Sequence, residues 1–242
     1  MTRKTKDNLK KIQPLTAPVS SLKGIGPKRG RFLARKGISS VVDLLFFTPL
    51  RYEDRTRICP AGELREGVPV LVRGRVLAGR EERFPGSGKR LFRIRLQDGD
   101  ARLDLIWFHY RKPHLEGYAV KDRELLVYGT LGLNRGVYQM IHPEVTAPDR
   151  PVEECLGFTP VYSPIEGLSP GALRGTIEQA LDLYLPSLVD PLPGDILRDL
   201  GLPDLAGAVR EVHRPPAESS LADLNAHRTP AHRRLLFDRF FL

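Results

Sequence analysis

The sequence predicts an α+β protein built on a five-stranded OB-fold β-barrel, flanked by N-terminal and C-terminal helical segments. Three observations lead there. Hydrophobic spacing is helical before Pro60, alternates between Gly67 and Pro148, and turns helical again beyond Pro151. The alternating stretch holds five runs of strand length, with a helix-sized interval before the fourth, which is the OB order. Apolar residues make up 41% of the 242, enough for a packed core, while 22 Gly and 21 Pro imply many turns and short elements. Three consecutive segments follow: a basic tail with a helix-hairpin-helix-like part over residues 1–60, the OB-fold over 61–150, and a helical segment over 151–242.

Met1 to Pro18 is polar and Lys-rich with breakers at Pro14 and Pro18, and is expected to be a flexible tail. Gly24-Ile25-Gly26 then separates a short apolar stretch from a helical pattern carried by Phe32, Leu33, Ile38, Val42, Leu44 and Leu45. A Gly-x-Gly turn that opens a helix presents backbone N–H groups able to hold a phosphate. Lys28, Arg29, Arg31 and Arg35 place cations nearby. A non-sequence-specific grip on a nucleic-acid backbone would follow; a plain helix pair packing on the next domain fits the turn equally well.

In the middle segment, Val68 to Val76 reads as the first strand, Phe92 to Leu96 as the second and Ala101 to Trp107 as the third. Pro113 to Val120 fits a short helix. Arg123 to Gly129 and Val137 to Ile141 supply the last two strands around the turn Asn134-Arg135-Gly136. OB-folds bind oligonucleotides or oligosaccharides across strands 2 and 3 and the loops joining strands 1–2 and 4–5. Those loops carry Arg83, Phe84, Lys89, Arg90 and Arg135, and Trp107-Phe108-His109-Tyr110 closes the third strand. Rings beside cations suit single-stranded or splayed nucleic acid, where bases stack and phosphates track charge. Strand neighbours face opposite sides, so Trp107 is expected to follow Leu103 and Leu105 inward. Phe108 should then point out as the stacking ring, with Ile106 on its side. Phe84 and Tyr110 are further candidates.

Beyond Pro151, Leu173, Ile177, Ala180, Leu181 and Leu185 repeat at helical spacing from Pro170, and Leu205 to Val212 and Pro230 to Leu242 read as further helices. The last helix ends on Phe240-Phe241-Leu242 without a cap, so the chain is expected to be truncated, with more sequence covering that end.

Charge separates the segments by partner. Residues 1–60 hold 14 Lys/Arg against 4 Asp/Glu, residues 61–150 hold 16 against 12, and residues 151–242 hold 8 against 13. A polyanion would meet the first two-thirds. Cys59 and Cys155 are too few for a disulfide framework, no signal peptide is visible, and the greasiest run, Val41 to Phe47, is too short to span a bilayer. A cytoplasmic protein is expected, with no membrane partner.

Catalytic chemistry finds no footing in the sequence. Gly86-Ser87-Gly88-Lys89 resembles a scrap of a phosphate-binding loop, but Arg83 and Arg90 stand where Gly and Ser or Thr are required. The six histidines are dispersed, and none pairs with Cys or carboxylate at metal-ligand spacing. No catalytic residue, metal or cofactor is assigned to this chain.

Longer strings carry a resemblance. Lys23-Gly24-Ile25-Gly26-Pro27-Lys28, Asp43 to Thr56 with its Arg51-Tyr52-Glu53-Asp54-Arg55 core, Met140 to Glu144, Pro160 to Leu168, Val212 to Pro216 and His232 to Phe237 together resemble the N-terminal part of the RecG family of ATP-dependent branched-DNA helicases. The likeness spans nearly the whole chain in order. Thr48 stands where the family usually has Leu, and Trp107-Phe108-His109 where it usually has Phe-Phe-Asn. The resemblance implies a wedge domain, an OB-fold that sits at a replication fork or Holliday junction and splits strands for DNA repair and recombination. It also implies two helicase lobes beyond Leu242 that alone would need ATP and magnesium. Branched DNA, single-stranded DNA, single-stranded DNA-binding protein and those lobes in cis are the implied partners, and the nucleoid the implied place. Two other classes stay open from residues alone. A free-standing OB-fold protein that binds single-stranded nucleic acid fits the middle segment, and a protein–protein adaptor fits the acidic last third.

Overall fold

The computed structural model describes residues 14–83, 90–99, 101–146 and 151–241. The chain forms two compact units, one of residues 1–54 with 158–242, the other of residues 55–157. Most of segments 1–60 and 151–242, separate along the sequence, thus falls in one unit, with 55–60 and 151–157 in the other.

In the discontinuous unit, the helical pattern of Phe32 to Leu45 resolves into α1 (Pro27–Ala34) and α2 (Val41–Leu45). Gly37, at φ 77°, breaks it, and a Ser40–Asp43 capping box starts α2. The strand β1 (Arg51–Arg55) follows. The expected tail ends sooner than Pro18. Leu15 and Ala17 pack on the core, and their carbonyls accept from the N–H groups of Val42 (3.0 Å) and Val41 (2.8 Å). Residues 1–13 lie outside the described residues.

The continuous unit holds β2 (Pro69–Arg83), β3 (Arg90–Asp98), β4 (Ala101–Trp107), α3 (Lys112–Tyr118), β5 (Glu124–Asn134), β6 (Val137–Ile141) and β7 (Glu144–Thr146). The first strand runs past its expected end at Val76. Its first half pairs with β5 and its second with β3, and a register shift between Val76 and Ala78 bends it from one partner to the other. The pairing β2-β3-β4-β6-β5 therefore returns to β2 and closes, with β4 and β6 parallel. Phe92, Ile94, Leu96, Leu103, Leu105, Trp107, Leu125, Val127, Leu131 and Met140 fill the interior, and Leu115 of α3 packs with them. At Gly79 a Cβ would lie 2.3 Å from that of Ala119, so the bent strand passes α3's end only without a side chain.

The chain re-enters the first unit through β8 (Gly157–Val161), which pairs with β1. Five helices complete it: α4 (Pro170–Tyr184), α5 (Gly194–Leu200), α6 (Leu205–His213), α7 (Leu221–Asn225) and α8 (Pro230–Phe241). Its core interleaves Leu22, Leu33, Val41 and Leu44 from the beginning of the chain with Leu173, Ile177, Leu181 and Val209 from its end. No helix among the described residues is long and apolar enough to cross a membrane.

Candidate nucleic-acid interface

On the outer face of the barrel, β2, β3, β4, β6 and the β5–β6 turn enclose an open groove of about 510 Å³ lined by Glu82, Arg83, Leu91, Arg93, Asp104, Asn134, Arg135, Val137 and Gln139. Its floor follows from strand alternation. Leu103, Leu105 and Trp107 of β4 face the core, which turns Asp104 outward, and Arg93 and Arg95 of β3 share that side between Phe92, Ile94 and Leu96.

A polar ladder crosses these strands. Asp104, only 3% exposed, accepts Arg95 Nε (2.7 Å) and Nη2 (3.0 Å) and also Arg93 Nη1 (2.5 Å). Arg93 Nε reaches back to Glu82 of β2 (3.0 Å), which also accepts Arg80 Nε (2.9 Å). Burial pushes the Asp104 carboxyl up, but the Arg95 and Arg93 guanidinium groups outweigh it and hold the group below the usual aspartate range. Glu82 is likewise held low, burial opposing and Arg80 and Arg93 prevailing. Both carboxylates are thus charged, Asp104 neutralised by Arg93 and Arg95 of β3 and Glu82 by Arg93 and by Arg80 of its own strand.

Two expected residues line the same groove. Arg135 sits at the tip of the β5–β6 hairpin with φ 51°, followed by Gly136 at φ 79°. These are the two left-handed positions of a type I′ turn. Arg83 ends β2. The sequence placed Arg83 and Arg90 in a loop, but they are cross-strand partners, because β2 runs seven residues past its expected end at Val76 and β3 begins two residues before its expected start at Phe92. Among the described residues the guanidinium groups of Arg83 and Arg135 have no partner, whereas Arg90 pairs with Glu81 at 3.4 Å. Phe84 and Lys89 lie outside the described residues.

The aromatic residues separate by role. Trp107 is 7% exposed and belongs to the barrel core. Phe108 is half-buried, tilted against the His142 ring at 5.9 Å, and its N–H donates to His142 Nε2 at 3.4 Å. His109 stacks on the same imidazole at 6.1 Å. Ile106, expected on the outer side with Phe108, is buried at 5% exposure though it is no part of the barrel core. Tyr110 packs edge-on against Phe92 at 5.7 Å and donates its hydroxyl to Glu81 at 2.7 Å. Burial and that carboxylate push the phenol up to about 12. The ring is held by the barrel itself.

Gly24, Gly26, Lys28 and Arg29 lie in the other unit. Gly24 takes φ 89°, Gly26 caps α1 without a side chain, and Pro27 fills the first helical position. Arg29 donates to the Gly24 carbonyl at 2.9 Å, while Lys28 and Arg35 lie over the Phe32 ring at 6.0 and 5.4 Å. Sequence reading passed over Glu82, Arg93, Asp104, Asn134, Gln139 and His142. The available signal was the charge alternation Arg93-x-Arg95 opposite Asp104 between the apolar residues Phe92, Ile94, Leu96, Leu103 and Leu105.

A closed five-stranded barrel with a short helix before its fourth strand is an OB-fold, and the cation-rimmed groove crosses its second and third strands. The chain belongs to the RecG wedge domain family, whose model matches residues 18–183. It is 36% identical over 230 residues to the ATP-dependent DNA helicase RecG of Escherichia coli K12, covering 91% of this chain and 32% of that protein. Against RecG of Pasteurella multocida it is 33% identical over 241 residues, covering 94% and 32%. A solved structure of RecG bound to a three-way DNA junction superposes with a TM-score of 0.74 at 26% identity, over 94% of this chain and 29% of that one. The chain spans about a third of the length of the curated relatives it matches.

Proposed function

We propose that this chain is the DNA-binding wedge of a branched-DNA helicase, which engages replication forks and Holliday junctions through the barrel groove and splits strands at the branch point. The observation that carries the reading is the groove itself: Arg83 and Arg135, both without a carboxylate partner among the described residues, rim the binding face of a RecG-family barrel. The relatives' names supply helicase and ATP dependence, and the junction-bound structure supplies branched DNA. In this reading ATP and magnesium belong to the motor parts of the longer relatives. Single-stranded DNA is the product of strand splitting, single-stranded DNA-binding protein is a neighbour at the fork, and the nucleoid is the place of action.

The test exploits the Arg135 backbone. Asn tolerates the left-handed region, so Arg135→Asn removes one cation and leaves the turn intact. Fork affinity should fall, and the slope of log K against log salt should become shallower by about 1 for one lost phosphate contact. Equal affinity of the unmodified chain for fork and for plain duplex would remove the wedge reading. A single-stranded oligonucleotide bound as tightly as the fork would favour a general single-strand binder.

A further inference from the structure

The most buried carboxylate on the barrel's outer face lies in the floor of a groove proposed to hold a polyanion, where a negative charge is at first sight misplaced. The geometry points to Asp104 as a positioning residue for nucleic-acid binding, an acid that raises affinity by presetting two guanidinium groups. This rests on the groove being the DNA-binding face.

Donor geometry makes the case. A guanidinium carries five N–H donors in a rigid fork. Arg95 gives two to Asp104 in bidentate fashion, and Arg93 gives one to Asp104 and one to Glu82. Each therefore keeps three donors. With side chains 26% and 43% exposed, Arg93 and Arg95 both reach solvent. The carboxylate grips one edge of each fork and leaves the rest displayed at a fixed angle. A free arginine would lose rotamer freedom on meeting a phosphate, and these two have lost it on folding. A buried ion ladder is also weak evidence of a stabilising role. A buried ion pair replaced by apolar residues of similar volume is often neutral or more stable, and the interior beneath is a complete aliphatic and aromatic core.

Net charge is consistent with this division of labour. Arg80, Arg93 and Arg95 outnumber Glu82 and Asp104 by one, and Arg83 and Arg135 add two more positive charges at the rim. Asp104 thus removes part of the field and supplies order instead. Field and order predict opposite signs for the same substitution.

Fork binding by the full 242-residue chain is measured across a salt series for the unmodified protein, Asp104→Asn, Arg93→Lys and Arg135→Asn, with folding followed by circular dichroism. If Asp104 positions the arginines, Asp104→Asn binds about five- to fifty-fold more weakly at every salt concentration. Its salt slope stays unchanged, because the same cations still neutralise phosphates. Arg93→Lys keeps the charge but loses the planar fork, and should weaken binding in the same slope-preserving way. It leaves the Arg95–Asp104 pair in place, so it carries the test if Asp104→Asn fails to fold. If folded Asp104→Asn binds more tightly at low salt, or Arg93→Lys binds as the unmodified chain does, the positioning role is overturned. Should Arg135→Asn still weaken binding in that case, the groove survives as the DNA site. If Arg135→Asn has no effect either, the groove assignment itself falls.

Discussion

Adjacent residues on one strand carry opposite duties at Trp107 and Phe108. Trp107 continues the inward row of Leu103 and Leu105, while Phe108 lies just beyond the end of β4 against His142. Truncating a buried indole removes its transfer energy and leaves a cavity, so Trp107→Ala should lose about 3–5 kcal/mol of stability. Phe108→Ala should lose about 1 kcal/mol or less, a half-buried ring having less to give up. If Phe108 stacks on an unpaired base, the same change should weaken fork binding by about 1–3 kcal/mol. Both variants need a denaturant melt and a fork titration. A folded Trp107→Ala that has lost fork binding, beside a Phe108→Ala that binds normally, would transfer the stacking role to Trp107. The inward row was legible because Leu103, Leu105 and Trp107 recur at every second position, whereas the burial of Ile106 on the opposite side was not. The partner of Phe108 was not, since His142 is 34 residues away and reaches it only through the parallel β4–β6 pairing. The strings that carry the family resemblance turn out to be structural pins. Tyr52 donates to the Val212 carbonyl (2.8 Å) and lies 3.1 Å from His232. Tyr162 meets His213 at 2.8 Å, and Arg55 covers the Tyr128 ring at 3.9 Å while pairing with Glu144.

Among the elements, those with a strong hydrophobic period were legible and those held by pairing or polar anchors were not. β1 is Arg-Tyr-Glu-Asp-Arg, whose composition argues against a strand, and β8 contains Pro160; each is a strand because the other is its partner. α5 and α7 span seven and five residues, too short to show a period. α8 was legible as a helix, but what holds it was not. Its Arg234, with no exposed surface, donates to Asp190 through Nη1 (3.0 Å) and Nη2 (2.7 Å), to Asp238 through Nε (3.1 Å) and to the Pro203 carbonyl (3.2 Å). Asp190 in turn accepts the N–H groups of Leu192 and Leu205. Burial pushes its carboxyl up, but Arg234 and those two N–H groups hold it below the usual range. Removing one partner of such a pair strands the other in a poorly solvated place. Arg234→Met should therefore destabilise the helical unit by about 3–5 kcal/mol, read as a fall in the denaturant midpoint of the far-ultraviolet signal. A loss below about 1 kcal/mol would show that the pair behaves as a solvated one.

For the whole molecule, the OB barrel is an insertion within the helical unit, and the two units differ in how they should answer to acid. The helical unit buries His213, whose Nε2–H donates to the Leu45 carbonyl (2.8 Å), which in the neutral ring leaves Nδ1 to accept from the Tyr162 hydroxyl (2.8 Å). Burial drives its pKa down to about 4, the Leu45 bond resisting and Arg214 assisting. His232 is also lowered to about 4 by burial and by His227. In the unfolded chain both should titrate near the ordinary value of about 6.5. Between those values the unfolded state holds more protons than the folded state, so stability rises with pH through this window and falls as pH drops. Full stability is present above about pH 6.5, and His213 alone should remove about 2–3 kcal/mol by pH 4.5. Asp190 and Asp104, with lowered pKa values, act further down: their contribution is full above the unfolded aspartate pKa of about 3.9 and is lost as pH falls below it. In the barrel unit the histidines His109, His114 and His142 are exposed. Trp107 is the single tryptophan and lies in the barrel, while most helices belong to the other unit. Denaturant melts at pH 7.5, 6.0 and 4.5 can therefore follow the units by separate signals. The far-ultraviolet midpoint should fall steadily with pH and the tryptophan midpoint should hardly move. His213→Gln should flatten the far-ultraviolet response even though it lowers stability at neutral pH. If the far-ultraviolet midpoint of the unmodified chain is the same at all three values, the buried-histidine linkage is wrong. If the tryptophan midpoint falls in step with it, the linkage stands but the two units unfold as one.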